Sequence, residues 1–178
     1  ATQYVGNWPG VTVVKKEGRY KADKEISITD LPGIYSLSPY TLEEVITRDF
    51  LINEKPDAIV NLVDASNIER NLYLTTQLLE IGIPVVIALN MMDIVQKRGD
   101  VIDTKKLSSV LGVPVVETSA LKGKGTRELM ETAKKAAGSA AKPAVHTFSD
   151  VIENAMGQIT ELIKDVTEED QRRWFAVK

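Results

Sequence analysis

Two short apolar runs, each ended by a polar side chain, constrain this chain more than any other feature of its sequence. Residues 58–64 read Ala-Ile-Val-Asn-Leu-Val-Asp, and residues 84–90 read Pro-Val-Val-Ile-Ala-Leu-Asn. Both are rich in β-branched side chains. Near-continuous apolar runs of this length fit strands buried on both faces of a parallel sheet. Between them, residues 67–81 repeat apolar side chains at Ile68, Leu72, Leu78 and Leu79 and stop at Gly82, as a helix with a glycine stop does. Strand, helix and strand over this length make one right-handed crossover unit.

The alternation extends in both directions. Residues 104–111 predict a helix ended by Gly112, residues 113–118 a strand, and residues 125–137 a helix running into Gly138. Upstream, residues 11–16 and 25–29 alternate across the turn-prone Glu17-Gly18, which predicts an antiparallel pair at one side of the sheet. The expected fold class is α/β, a mostly parallel sheet of about five strands with helices on both faces. Residues 139–143 are small and close on Pro143, as a linker does. Beyond them, Val151, Ile152, Ala155, Ile159, Leu162 and Ile163 form a helical stripe that opens a further element. The expected division is a main domain over residues 1–138, a linker over 139–145 and the start of a helical domain over 146–178.

Composition narrows the chemistry. The 178 residues are 43% apolar, enough for a sizeable core, and 22 basic against 25 acidic residues leave a net charge of −3 with no long block of either sign. Nothing there asks for a nucleic acid partner. The absence of cysteine excludes disulfides and thiolate metal sites. His146 is the only histidine, which makes imidazole-based zinc sites and Ser/His triads poor readings and His146 itself a surface or packing residue. The longest apolar stretch, residues 83–89, is far short of the ~20 residues a membrane-spanning helix needs. The opening on Ala1 and the close on Trp174-Phe175-Ala176-Val177-Lys178 suggest a piece of a longer protein, although a processed terminus explains the first equally well.

Ligands of open α/β sheets bind beyond the carboxyl ends of the strands, and three polar clusters fall there. The first is Asp30-Leu31-Pro32-Gly33. An aspartate in that place can hold Mg²⁺ through a water, and the Gly33 amide, with no side chain in the way, can approach a terminal phosphate; an ordinary Pro-Gly turn is the bland alternative. The second is Asn90-Met91-Met92-Asp93. A carboxylate at Asp93 can accept both the ring N–H and the exocyclic amine of guanine, a donor pair adenine lacks, while Asn90 braces neighbouring loops. The alternative here is a helix N-cap with Asp93 favouring the helix dipole. The third is Ser119-Ala120-Leu121-Lys122-Gly123, whose small residues let a backbone amide reach the guanine carbonyl oxygen. The three clusters gain force together, in this order and each at a strand end.

That combination resembles the third, fourth and fifth motifs of small G proteins, DxxG, NxxD and SAL or SAK, with Met91 standing where lysine is usual. The methionine can cover the base as an apolar lid. The strings VGNWPGVTV (residues 5–13), DLPGIYSL (residues 30–37) and ERNLYL (residues 69–74) narrow this to a resemblance with the ferrous iron transport protein B family over nearly the whole chain. The resemblance implies a Ras-like GTPase domain that binds GTP and GDP with Mg²⁺. It implies contacts to the nucleotide from Gly10, Val11 and Thr12, and makes Thr12 the switch I threonine, its hydroxyl on Mg²⁺ and its backbone facing the γ-phosphate. Thr12 and Gly33 would be the catalytic positions. In potassium-dependent members, carbonyls near Gly6 and Trp8 belong to the loop completing a K⁺ site, where a cation does the work of an arginine finger; an exposed hydrophobic latch is the other reading of Trp8. Ile34 stands where Ras-like enzymes place a water-orienting glutamine, so catalysis would rest on positioning and charge and be slow.

The resemblance further implies a place at the cytoplasmic face of the membrane, regulation of Fe²⁺ passage through the protein's own membrane domain, and oligomerisation through the intact transporter. One departure stands out: the chain has no GxxxxGK[ST] phosphate-binding loop. The first strand and that loop are therefore expected to lie outside these residues. Two rivals remain, a GTPase of the same group acting in ribosome assembly or tRNA modification, and a scaffold that binds no nucleotide.

Overall fold

The computed structural model describes residues 3–8, 14–139, 147–169 and 171–178. The expectations placed on Gly10, Val11, Thr12, His146 and most of the linker lie outside the described residues. The chain divides into two compact units, Ala1–Glu54 and Lys55–Lys178.

In the first unit, β1 (Gln3–Asn7), β2 (Val14–Arg19) and β3 (Ser27–Asp30) form an antiparallel sheet in the order β1-β2-β3. The antiparallel pair is where the sequence placed it, but its turn is not. Glu17 and Gly18 lie inside β2, opposite Thr29 and Ile28. The chain reverses instead over residues 20–26, where the Tyr20 amide donates to the Ile26 carbonyl (3.0 Å) and Asp23 Oδ1 accepts from the Glu25 amide (3.1 Å). An aspartate that bonds the backbone two residues on is a stronger turn former than Glu-Gly. Helix α1 (Leu42–Glu54) was not anticipated, yet its start is written in the sequence. Thr41 Oγ1 accepts from the Glu44 amide (3.2 Å) and Glu44 Oε2 from the Thr41 amide (3.0 Å), a reciprocal capping box. Trp8, Leu37 and Leu51 are buried in this unit. Trp8 packs edge-on to Phe50 with centroids 5.3 Å apart, and Lys15 Nζ lies 5.0 Å from its ring. The exposed-latch reading of Trp8 is thereby overturned: at 6% exposure the ring is core.

The second unit holds a parallel sheet in the order β4-β5-β6, from β4 (Ile59–Asp64), β5 (Val85–Asn90) and β6 (Val115–Glu117). Helix α2 (Ile68–Glu80), entered through a 3-10 turn at Ala65–Asn67, makes the crossover from β4 to β5. The short α3 (Met92–Arg98) and α4 (Thr104–Leu111) connect β5 to β6, and α5 (Thr126–Ala137) follows a second 3-10 turn at Ala120–Lys122. The chain ends in α6 (Asp150–Leu162) and α7 (Arg172–Val177).

The hydrogen bonding thus makes two three-stranded sheets where one of about five strands was expected. The physical reason lies at β4, whose outer edge pairs with no strand among the described residues. β5 is buried throughout, as a central parallel strand should be, whereas β4 alternates. Ile59, Asn61 and Val63 are buried on the side of α2, where Asn61 Nδ2 donates to Thr75 Oγ1 (2.7 Å). On the opposite face the register aligns Val60 with Val86 and Leu62 with Ala88. Leu129 and Ala133 of α5 pack on Val86, Ala88 and Val116, but Val60 and Leu62 remain 39% and 66% exposed. The expectation of a strand buried on both faces fails for β4 because α5 does not reach its outer half-face.

The terminal helices are fastened to α2 by charge. Arg173 of α7 donates from Nε to Glu80 Oε2 (3.0 Å) and from Nη1 to Glu153 Oε2 of α6 (3.0 Å). Glu80 is only 8% exposed, and the two carboxylates, Glu153 first, raise the guanidinium above its ordinary value. Arg173→Ala leaves a buried carboxylate without this counter-charge and is expected to lower stability by about 1–3 kcal/mol, read from urea denaturation. A loss below ~0.5 kcal/mol would show the triad to be a surface feature.

Candidate functional site

The second and third polar clusters meet at the carboxyl ends of β5 and β6. The Thr118 amide donates to the Leu89 carbonyl (2.8 Å), which carries the strand pairing one step past β6 and brings Asn90 beside residues 118–120. Asn90 Oδ1 accepts from the Ala120 amide (3.0 Å) and from Thr118 Oγ1 (3.4 Å). Its side chain is spent on the neighbouring loop and does not cap α3. The residue before that helix is Met91, in the left-handed region at φ 64°, and no side chain caps the helix there. The N-cap part of the alternative is therefore overturned, while Asp93 does stand in the first turn, where a carboxylate favours the helix dipole.

Asp93 lies in the first turn of α3, its side chain 16% exposed. Oδ1 accepts from Ser119 Oγ (3.0 Å), and Oδ2 lies 3.4 Å from Lys122 Nζ. The Ser119 hydroxyl first, then the Lys122 charge, hold the Asp93 carboxyl below its ordinary value. Asp93 is thus a fixed, ionised acceptor at neutral pH, with lone pairs left for two further donors. The loop that carries its partners is closed by a two-way backbone pair, Ser119 amide to Lys124 carbonyl (3.2 Å) and Lys124 amide to Ser119 carbonyl (3.1 Å). Ser119 is buried at 3%, while Leu121 is 93% and Met91 39% exposed. Asn90, Met91, Asp93, Ser119, Ala120 and Leu121 are thereby brought together in one unit. Sequence reasoning quoted Lys122 without a role and missed Thr118; only the folded loop reveals either contact.

In the first unit, Asp30 ends β3 opposite Lys16, with its carboxylate exposed. Pro32 offers its carbonyl to Thr47 Oγ1 of α1 (3.5 Å), and Ser36 Oγ donates to Glu44 Oε1 (3.2 Å), which ties residues 30–44 to the start of that helix. A Cβ placed on Gly33 would meet nothing within 4 Å, and its φ is not in the left-handed region. The fold itself does not demand glycine at this position. Gly6 sits in the β1–β2 ladder opposite Lys15. Among the described residues no group of three or more His, Asp or Glu is gathered to hold a metal, and no helix is long and apolar enough to cross a membrane.

A parallel sheet with Asn-x-x-Asp and Ser-Ala-Leu segments at adjacent strand ends has the α/β fold of the P-loop GTPase class. Solved structures agree. A mutant of S. thermophilus NFeoB bound to GDP superposes with a TM-score of 0.94 at 49% identity, over 99% of this chain and 68% of that one. The cytosolic domain of the T. maritima FeoB iron transporter in GMPPNP form gives 0.90 at 36%, over 99% and 70%.

The chain belongs to the ferrous iron transport protein B family, whose model matches residues 1–133. It is 46% identical over 170 residues to the Fe(2+) transport protein A/Fe(2+) transporter FeoB fusion protein of Porphyromonas gingivalis, covering 93% of this chain and 20% of that protein. With the Fe(2+) transporter FeoB of Escherichia coli K12 it shares 38% identity over 181 residues, 99% of this chain and 23% of that one. The chain therefore spans about a fifth to a quarter of the curated relatives' length.

Proposed function

We propose that this chain is the guanine-recognising part of a GTPase domain that regulates Fe²⁺ passage through a membrane domain elsewhere in the same protein. The arrangement of Asp93 carries the reading. A carboxylate held ionised by Ser119, beside a loop pinned by Asn90, presents the two acceptors that guanine's ring N–H and amine require. Met91 would cover the base, and the Leu121 backbone amide would meet its carbonyl oxygen, since the Ala120 and Lys122 amides already donate to Asn90 Oδ1 and the Ser119 carbonyl. In the other unit, the exposed Asp30 carboxylate fits a water-mediated Mg²⁺ ligand, and the open space about Gly33 fits a phosphate approaching its amide. Mg²⁺, held also by Thr12, would neutralise phosphate charge. Gly10 and Val11 would flank the phosphates, and a K⁺ bound by carbonyls near Gly6 and Trp8 would add positive charge there.

The grip on the phosphates is completed, in this reading, by a strand and phosphate-binding loop carried outside these residues. The edge of β4, unpaired among the described residues, and the exposed Val60 and Leu62 support that placement, since one added strand and the helix after it would satisfy both. The division into a GTPase domain over residues 1–138, a linker over 139–145 and the start of a helical domain over 146–178 belongs to the same proposal, as do the cytoplasmic face of the membrane and oligomers formed by the intact transporter. Titration of fluorescent GDP and GTP analogues into this chain, and into one extended upstream, tests it. The extended chain is expected to bind guanine nucleotides in the presence of Mg²⁺, and Thr12→Ala to abolish its hydrolysis while leaving GDP affinity nearly unchanged. No binding by the extended chain would overturn the proposal.

A further inference from the structure

Both oxygens of the Asp93 carboxylate have partners within the chain. Oδ1 is met by a hydroxyl that is nearly sealed from solvent, but Oδ2 is met by Lys122 Nζ at 3.4 Å, from a side chain 45% exposed. The two partners differ in how firmly they are held. Ser119 is 3% exposed and fixed through the Lys124 backbone pair, so its bond to Asp93 is part of the fold. Lys122 is the last residue of the 3-10 turn Ala120–Lys122. Gly123 follows it in the left-handed region at φ 63°, with open space where a Cβ would be. The Lys122 backbone is anchored by its amide to the Ser119 carbonyl (3.0 Å), which leaves a four-carbon stem to carry the ammonium on or off the carboxylate.

Resting on the guanine reading above, we propose that Lys122 is a placeholder for the base: its ammonium holds Asp93 Oδ2 and must swing away when guanine donates there. The placeholder offsets the charge of the Asp93 carboxylate. It then competes with the leaving base for the same oxygen, which weakens binding and speeds release. Because the ammonium end of the pair is exposed and open to screening by salt, the competition fades as ionic strength rises.

The test uses the chain extended upstream, with Lys122→Met, which keeps the stem and removes the charge. GDP and guanosine affinities and GDP release are measured by stopped-flow and calorimetry. Lys122→Met is expected to tighten both ligands by about two- to fivefold, the range a single ion pair with one exposed partner supports, chiefly through slower release. Lys122→Arg should behave as the parent does. Guanosine separates this effect from attraction of Lys122 to the phosphates, which would make Lys122→Met weaken GDP and leave guanosine unmoved. In an Asp93→Asn background, read with xanthosine diphosphate, whose C2 carbonyl can accept from the new amide, Lys122→Met should no longer tighten binding. Unchanged or weaker guanosine binding by Lys122→Met, or equal tightening without the Asp93 carboxylate, overturns the placeholder. If the parent chain prefers guanine and Lys122→Met has no effect, only the placeholder falls. If the parent shows no preference for guanine over adenine, the guanine reading falls and takes the placeholder with it.

Discussion

Replacing Asp93 by alanine in the upstream-extended chain is expected to erase its preference for guanine over adenine nucleotides, a loss of up to ~10⁴-fold in the ratio of the two affinities. The effect is large because both lost hydrogen bonds would involve the charge of a carboxylate steadied by a hydroxyl and an ammonium. Ser119→Ala should do much less, since it removes the group that steadies the carboxylate and leaves the carboxylate itself. The pH dependence follows from the direction of the Asp93 shift. A carboxyl whose folded value is depressed acts in full above the ordinary value of 3.8, and its contribution fades only as the pH falls through the lower value of the folded chain. Guanine preference at pH 5 should therefore equal that at pH 7. Competition titrations with GDP and ADP analogues at both pH values check this, and an Asp93→Ala chain that still favoured guanine would sink the assignment.

The second large effect is expected at Gly125. Two glycines flank the end of the loop over residues 119–124, Gly123 at φ 63° and Gly125 at φ 78°, both in the left-handed region that costs an L-residue about 1–2 kcal/mol. Their surroundings differ. A Cβ on Gly123 meets open space, whereas one on Gly125 would be driven into the Glu117 carbonyl oxygen at the end of β6, a backbone atom that cannot swing aside. Gly123→Ala should thus cost about 1 kcal/mol, and Gly125→Ala about 3–5 kcal/mol through strain and displacement of α5 from β6. Thermal and urea denaturation of the two variants separates the terms, since the first carries only the backbone penalty. Equal losses would mean that the close approach of α5 to β6 relaxes without cost.

Much of the fold could be read from the sequence, and the reason is local. The helix over residues 104–111 was found to the residue because Asp103 caps it, accepting from the Lys106 amide at 2.9 Å, and Gly112 stops it at φ 67°. β5 was legible because every one of its apolar side chains is buried. The missed α1 had a signal of the same local kind in Thr41 and Glu44, as did α3 in Gly99, at φ 79° after its last turn. What stayed hidden depends on pairing at a distance. Nothing within residues 59–64 says that one edge goes unpaired, and nothing in Val5-Gly6-Asn7-Trp8 says that the tryptophan closes on Phe50. At the site, residue types announced Asn90 and Asp93. The Lys122 contact required the turn of residues 120–122 to be built first.

The two tryptophans of the chain are Trp8 and Trp174, each about 95% enclosed and one in each compact unit. Neither indole N–H has a hydrogen-bond partner among the described residues. Intrinsic fluorescence therefore comes divided in two. With Trp8→Phe, tryptophan emission follows only the unit that holds Asp93 and Ser119; with Trp174→Phe, only the unit that holds Asp30 to Gly33. Each ring also lies within 6 Å of a lysine ammonium, Lys15 or Lys178, so each emitter carries a nearby charge that senses its own surroundings. The molecule thus supplies two native optical probes, which can show whether ligand and denaturant act on its halves together or in turn.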